Sequence, residues 1–145
     1  MNLQIRNLFK GLGFGLILSI VITFFVAAIG SGAYGGDFGI QGWLWLLQTS
    51  AVPIMLCCGI SGYCMGFKDS SRLKFWLICA IMGFLSVCYM GTIGAILASG
   101  FKFGLENINV IGYLQWGPIY ALGFLPISTL IVAAVNFYYQ DLSKQ

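Results

Sequence analysis

The chain has 145 residues, 59% of them hydrophobic and 8% charged. A soluble domain carries about 25% charged residues, so this composition cannot clothe a water-facing surface. The net charge of +3 is too thinly spread for a nucleic-acid-tracking stripe, and the lack of any His removes bis-His haem ligation and His general bases.

Arg6 and Lys10 precede the first long apolar run, Gly11–Gly30. A secretory signal has an apolar stretch of about 7–15 residues, whereas this run has about 20, so it reads as a retained anchor helix. Positions 11, 15, 19, 23 and 27 are Gly11, Gly15, Ser19, Thr23 and Ala27. A step of four keeps side chains on one helix face, and small residues there let two backbones approach closely. The segment Ser31–Gly42, rich in Gly and carrying Asp37, predicts an irregular loop.

The second run, Trp43–Phe67, contains Gln48, Thr49 and Ser50 near its start and Pro53 deeper, where a kink is expected. Cys58, Gly62 and Gly66 form a shorter small-residue stripe. Lys68, Arg72 and Lys74 follow. The third run, Phe75–Ala98, carries the stripe Cys79, Gly83, Val87, Gly91, Ala95 and Ser99. The first and third stripes predict tight crossings, with contact between those two helices as one arrangement. Phe101–Gln115 is too apolar for a free loop and predicts a segment in the headgroup region or against a partner. In the fourth run, Ile119–Tyr139, Pro118 suits the first turn and Pro126 predicts a kink. Asn136 lies near its end.

No Asp, Glu, Lys or Arg interrupts any of the four runs. Each is long enough to cross about 30 Å of hydrocarbon as a helix, the form that satisfies its own backbone there. The runs lack the two-residue alternation of barrel strands. The fold class read from the sequence is therefore an all-α membrane protein. It is a single domain over residues 1–145, with four transmembrane helices near 11–30, 43–67, 75–98 and 119–139. Arg6, Lys10, Lys68, Arg72, Lys74 and Lys144 fall on one side and only Lys102 on the other, with Asp37 and Glu106. The positive-inside rule then places both termini in the cytoplasm, with the bacterial inner membrane as the expected location. Trp43, Trp45 and Trp116 would mark the outer interface, and Trp76, Tyr138 and Tyr139 the inner one.

The two hairpins look alike. Ser31-Gly32 matches Ser99-Gly100, Trp43 matches Trp116, and Pro53 matches Pro126. Duplication and coincidence among common membrane residues account for this equally well.

Candidate chemistry is sparse. Cys57, Cys58, Cys64, Cys79 and Cys88 lie within the second and third runs, without C-x-x-C or finger-like spacing. Adjacent Cys57 and Cys58 cannot bridge with ordinary geometry. A thiolate also needs a cation or helix N-terminus beside it. The five therefore read as small apolar filler. Gln48, Thr49, Ser50 and Asn136 would make interhelical hydrogen bonds or line a polar path. No catalytic, cofactor or metal site is expected, and the expected contacts are with lipids. The leading expectation is a non-catalytic accessory subunit packed among other transmembrane subunits or copies of itself, without nucleic acid. A small oligomeric channel or transporter is the alternative, and an immunity-type protein that blocks a pore-forming toxin is a third.

Overall fold

Helices dominate because the apolar runs leave backbone amides no partner but their own chain. The structure, a computed structural model, describes residues 3–34, 39–104, 106 and 108–142. Asp37, Asn107 and Lys144 lie outside them, as does the middle of the expected first loop. The elements are α1 (Leu3–Tyr34), α2 (Gly39–Tyr63), a 3-10 turn (Met65–Phe67), α3 (Arg72–Tyr89), a π turn (Met90–Gly94), α4 (Ala95–Phe103), α5 (Val110–Gly123) and α6 (Leu125–Leu142). Among the described residues there is no strand. Gln4–Ala28, Gly42–Tyr63 and Arg72–Phe101 are each long and apolar enough to cross a membrane. Val110–Gly123 and Leu125–Asp141, bent by 68°, make a fourth span if taken together.

Several expected boundaries move. The first helix begins at Leu3 and runs to Tyr34, beyond both ends of the apolar run. The second ends at Tyr63, so Gly66 is not on it. The third is continued by the π turn and α4 to Phe103. The fourth run is not one helix. Its first residues belong to α5, which starts at Val110, capped by the Asn109 side chain accepting from Gly112 N at 2.9 Å. With Phe101–Phe103 at the end of α4, nine of the fifteen residues of the apolar segment expected in the headgroup region are therefore helix.

Of the two prolines of this last segment, Pro118 departs from its expected first-turn place, while Pro126 stands at the expected bend, a break of 68°. Pro118 lies in the interior of α5, and Pro126 in the first turn of α6, where its missing N–H costs nothing. The break comes just before Pro126. Its ring would clash with the carbonyl of Leu122, so the helix stops at Gly123 and restarts. At the elbow Phe124 donates its N–H to Tyr120 and Leu122 carbonyls, and its own carbonyl accepts from Ser128 N at 2.9 Å.

Two antiparallel pairs result. α1 lies on α2 along its length, with Gly62 at Asn7, Gly11 at Cys58, Gly15 at Met55, Thr23 at Ser50 and Phe24 at Trp43. α3 and its continuation lie on the broken segment in the same sense, with Cys79 at Asn136, Gly83 at Ser128, Gly91 at Gly117 and Ser99 at Tyr113. The stripe on α1 thus faces α2, not the third helix. Gly11, Gly15, Ser19, Thr23 and Ala27 are all buried. A Cβ built on Gly15 would sit 2.7 Å from Met55 Cα, and one on Gly11 would overlap the Cys58 carbonyl. On the third helix, a Cβ on Gly83 would sit 2.8 Å from Ser128 Oγ and one on Gly91 3.0 Å from Gly117 Cα. Such contacts supply dispersion where lipid offers no hydrophobic driving force.

Candidate functional site

The two pairs join at both ends of the bundle and part in the middle. At the end holding Trp45, Trp45 Nε1 donates to Ser99 Oγ at 3.3 Å, and Ser99 Oγ meets Tyr113 OH at 3.0 Å. Ser99 is buried and ties α2, α4 and α5 together. Deeper, Pro53 has no N–H to give the Thr49 carbonyl, and the π turn closes on that oxygen. A Cβ on Gly94 would lie 3.1 Å from it. Thr49 and Ser50 are buried, and both hydroxyls donate to the Leu46 carbonyl at 2.8 Å. Ser50 Oγ also meets Thr23 Oγ1 at 3.3 Å. Gln48 points away from this group and is exposed.

At the other end, the chain leaves α2 through Met65, Gly66 and Phe67, whose φ angles are 50°, 67° and 56°. Left-handed backbone of this kind costs of order 1–3 kcal/mol for a non-glycine residue, and surrounding structure must hold it. Here α6 does so. Gln140 Nε2 donates to the Gly66 carbonyl at 2.7 Å, and Gly66 lies so close to the Asn136 carbonyl that no Cβ fits. Asn136 is fully buried, and its Nδ2 donates to Val132 O at 3.0 Å and reaches Cys79 Sγ at 3.6 Å. Its Oδ1, like Ser61 Oγ, has no partner among the described residues. Phe14 stacks on Tyr138 with centroids 5.5 Å apart and meets Tyr139 edge-on.

The four residues expected to form a polar path are therefore not brought together. Thr49 and Ser50 belong to one end, Asn136 to the other, and Gln48 faces outward. Between the ends lies a cavity of about 300 Å³ whose exposed wall is wholly apolar. α1 contributes Leu18 and Ile22, α3 contributes Gly83 and Val87, and α6 contributes Ile127 and Val132. A second cavity of about 420 Å³ opens between α2 and α3 beside Pro53 and Tyr89. Cys57 and Ser86 line both.

The cysteines lie along this interior. Cys58 and Cys79 are buried within the two core clusters, and Cys57, Cys64 and Cys88 are half-buried. Burial pushes the Cys64 thiol, just past the end of α2, up from its ordinary range. Among the described residues no group of three or more His, Cys, Asp or Glu is placed to hold a metal ion.

Sequence reasoning missed three participants. Gly66 stood out as a stripe member, and its importance at a left-handed turn needs the fold to be seen. Ser99 reads in the sequence as a stripe member and as one half of a repeated Ser-Gly, and neither reading points to its bonds with Trp45 and Tyr113. Gln140 lay just past the fourth run and drew no attention. No family model matches the chain, and no curated protein or solved structure compared with it is significantly similar.

Proposed function

We propose that this chain is a non-catalytic integral membrane protein that acts through contact, as an accessory subunit held in a larger membrane assembly. One observation carries the reading. The buried polar groups that join helices fall into two separate clusters, the buried hydroxyls of Ser19, Thr92 and Ser128 bond carbonyls of their own helices, and the cavity between the clusters exposes only apolar surface. Among the described residues that interior holds no carboxylate, Lys or Arg for acid–base work and no continuous polar route for a solute. Thr49, Ser50 and Asn136 also turn into the bundle, so of the four residues expected to line a channel only Gln48 could face a pore between copies. The small-residue stripes, expected to make tight helix crossings, are occupied within the chain, so they are not free for a partner. The accessory role then rests on the apolar outer faces and the apolar interior.

The orientation we propose follows the basic residues, with the Met65–Lys74 connection and both termini in the cytoplasm of the bacterial inner membrane and α5–α6 counted as one broken span. We also read the two pairs as duplicated hairpins. Laying Ser31 on Ser99 and Pro53 on Pro126 carries Gly15 onto Gly83 and Met55 onto Ser128. Gly15 packs on Met55 as Gly83 packs on Ser128. The same shifts carry Gly11 onto Cys79 and Gly59 onto Val132; Gly11 meets Gly59, and Cys79 and Val132 share one core cluster.

The deciding experiment is purification from the native membrane in mild detergent, with mass spectrometry of what accompanies the chain. The expected result is a fixed set of other transmembrane chains in constant ratio. Recovery of the chain alone, or as a homo-oligomer that conducts ions in a planar bilayer, would overturn the reading. Single Cys probes at positions 70 and 107, in a chain freed of native Cys, should label from opposite sides of the membrane.

A further inference from the structure

We propose that the mid-depth cavity between α1 and α6 is a binding site for one hydrocarbon tail of a membrane lipid, admitted sideways from the bilayer. The inference goes beyond the accessory role and depends only on the helices spanning a membrane.

Four observations converge on it. First, depth: the wall includes Gly83 to Met90, the middle of the Arg72–Phe101 span. What borders the mouth there is hydrocarbon, not water. Second, chemistry: the wall presents no polar surface. Ser128, one of two hydroxyl residues in it, donates to its own helix at Leu125 O. A water needs two to four polar partners and would find none. Third, size: an engineered apolar cavity of about 150 Å³ stays dry and binds benzene, and this one, at about 300 Å³, is twice as large. Fourth, the elbow: Phe124, where the last span breaks, stands at the cavity's rim. Non-helical backbone at membrane depth is tolerated where it lines a cavity, and discontinuous helices commonly frame midplane binding sites.

The mouth can be placed. Phe124, Ile127 and Ile131 line the cavity yet are 52%, 56% and 49% exposed, so the opening runs along α6 facing Leu18 and Ile22 of α1. Below it, the stack of Phe14 on Tyr138 closes the gap between the same two helices. A tail therefore enters above this floor, from the side of the bundle that holds Trp45 and Tyr113. The occupant is a chain rather than a helix, because the volume admits a slender group and not a helix of about 10 Å diameter.

The test uses the purified full chain in nanodiscs containing phosphatidylglycerol with a mid-chain diazirine. After illumination, peptide mass spectrometry locates the adducts. The proposal expects adducts at inward-facing Leu18, Ile22, Val87 and Met90, as abundant as those at Leu77 and Leu85, which are exposed on α3. Ile127→Trp places an indole in the mouth and should remove most of the inward adducts while leaving those at Leu77 and Leu85. Ile22→Trp does the same from the opposite lip and serves if Ile127→Trp fails to fold. Adducts confined to the outer face, or inward adducts unchanged in whichever Trp variants fold, would overturn the proposal. So would a dimer in the nanodisc whose cavity walls stay unlabelled, because that assigns the cleft to a second copy. Partner chains in native membranes are a separate readout, so the accessory role can fail without this proposal failing.

Discussion

The two helix pairs use one device with different outcomes. In the first pair, α1 and α2 run without a break in their spanning parts, and glycines bring backbone against backbone at Gly11, Gly15 and Gly62. In the second, Gly83 and Gly91 make the same approach, but the π turn and the 68° elbow interrupt the pair between Gly83 and Ser99. Close packing in a membrane helix needs only a small residue every fourth position. Holding that packing along the full length also needs an uninterrupted partner. The second pair gives this up at Phe124, and the cavity lies where it does so.

The largest expected effects test whether the glycines are equivalent. Gly15→Leu drives four carbons toward Met55 Cα and should cost about 3 kcal/mol or more, the upper range of overpacking. Gly83→Leu and Gly91→Leu should also lower folded yield, but less, because the interrupted pair has cavity space into which neighbours can shift. Ile81→Leu and Ile93→Leu, at half-exposed positions, should cost under about 1 kcal/mol. Reversible unfolding in mixed micelles measures all five. Equal losses at Gly15 and Gly91 would erase the distinction between the pairs.

Next comes the turn that links the pairs. Gly66 and Gly104 both have positive φ, 67° and 80°, but only Gly66 is crowded, against the Asn136 carbonyl and Gln140. Nothing lies within 4 Å of a Cβ on Gly104. Gly66→Ala should therefore cost about 2–3 kcal/mol and Gly104→Ala about 1–2, the first combining backbone strain with a clash and the second strain alone. Comparable losses in the same unfolding assay would show that α6 does not clamp the turn.

Much of this was legible in the sequence, for definite reasons. Hydropathy and the absence of charge identify the helices because hydrocarbon permits little else. The stripe from Gly11 to Ala27 identifies a packed face because nothing larger than Thr interrupts it. Which helix meets that face was not legible, since a four-residue step gives a direction and not a partner. The fourth run misled because hydropathy averages over Gly123 and Phe124, where the chain bends while remaining apolar. Pro126 marks the bend expected of it, whereas Pro118 admits two readings, first turn or interior, and only the start of α5 at Val110 decides between them. Of the polar residues expected to bond between helices or line a path, Thr49, Ser50 and Asn136 are buried and Gln48 is exposed, and the separation of the buried ones into two ends depends on pairing that no local pattern carries.

Asn136 sharpens the contrast between those ends. Its amide bonds its own helix and a thiol, and Oδ1 is buried without a partner. An unsatisfied buried acceptor costs free energy, whereas replacing it with an apolar group of similar shape can be nearly neutral. Asn136→Leu should therefore change stability by under about 1 kcal/mol, despite full burial. A loss well above that in mixed-micelle unfolding would mean that Oδ1 has a partner in the assembled protein.

The smallest effect concerns the opposite end, where Ser99 joins Trp45 and Tyr113. Interhelical hydrogen bonds in membranes average about 0.6 kcal/mol by double-mutant cycles, because the membrane-inserted unfolded state also finds partners. Ser99→Ala, Tyr113→Phe and the double variant should give a coupling of that size for the Ser99–Tyr113 bond. The Trp45 contact, at 3.3 Å, is longer and should couple more weakly. The cycle also bears on the architecture. Ser99 lies beyond the elbow, past the contact regained at Gly91 and Gly117, so the coupling should persist in Ile127→Trp, which alters the cavity mouth but not this end. A coupling that vanishes in that background would show the elbow and the Ser99 end moving as one unit. The cavity would then be a hinge rather than a fixed gap.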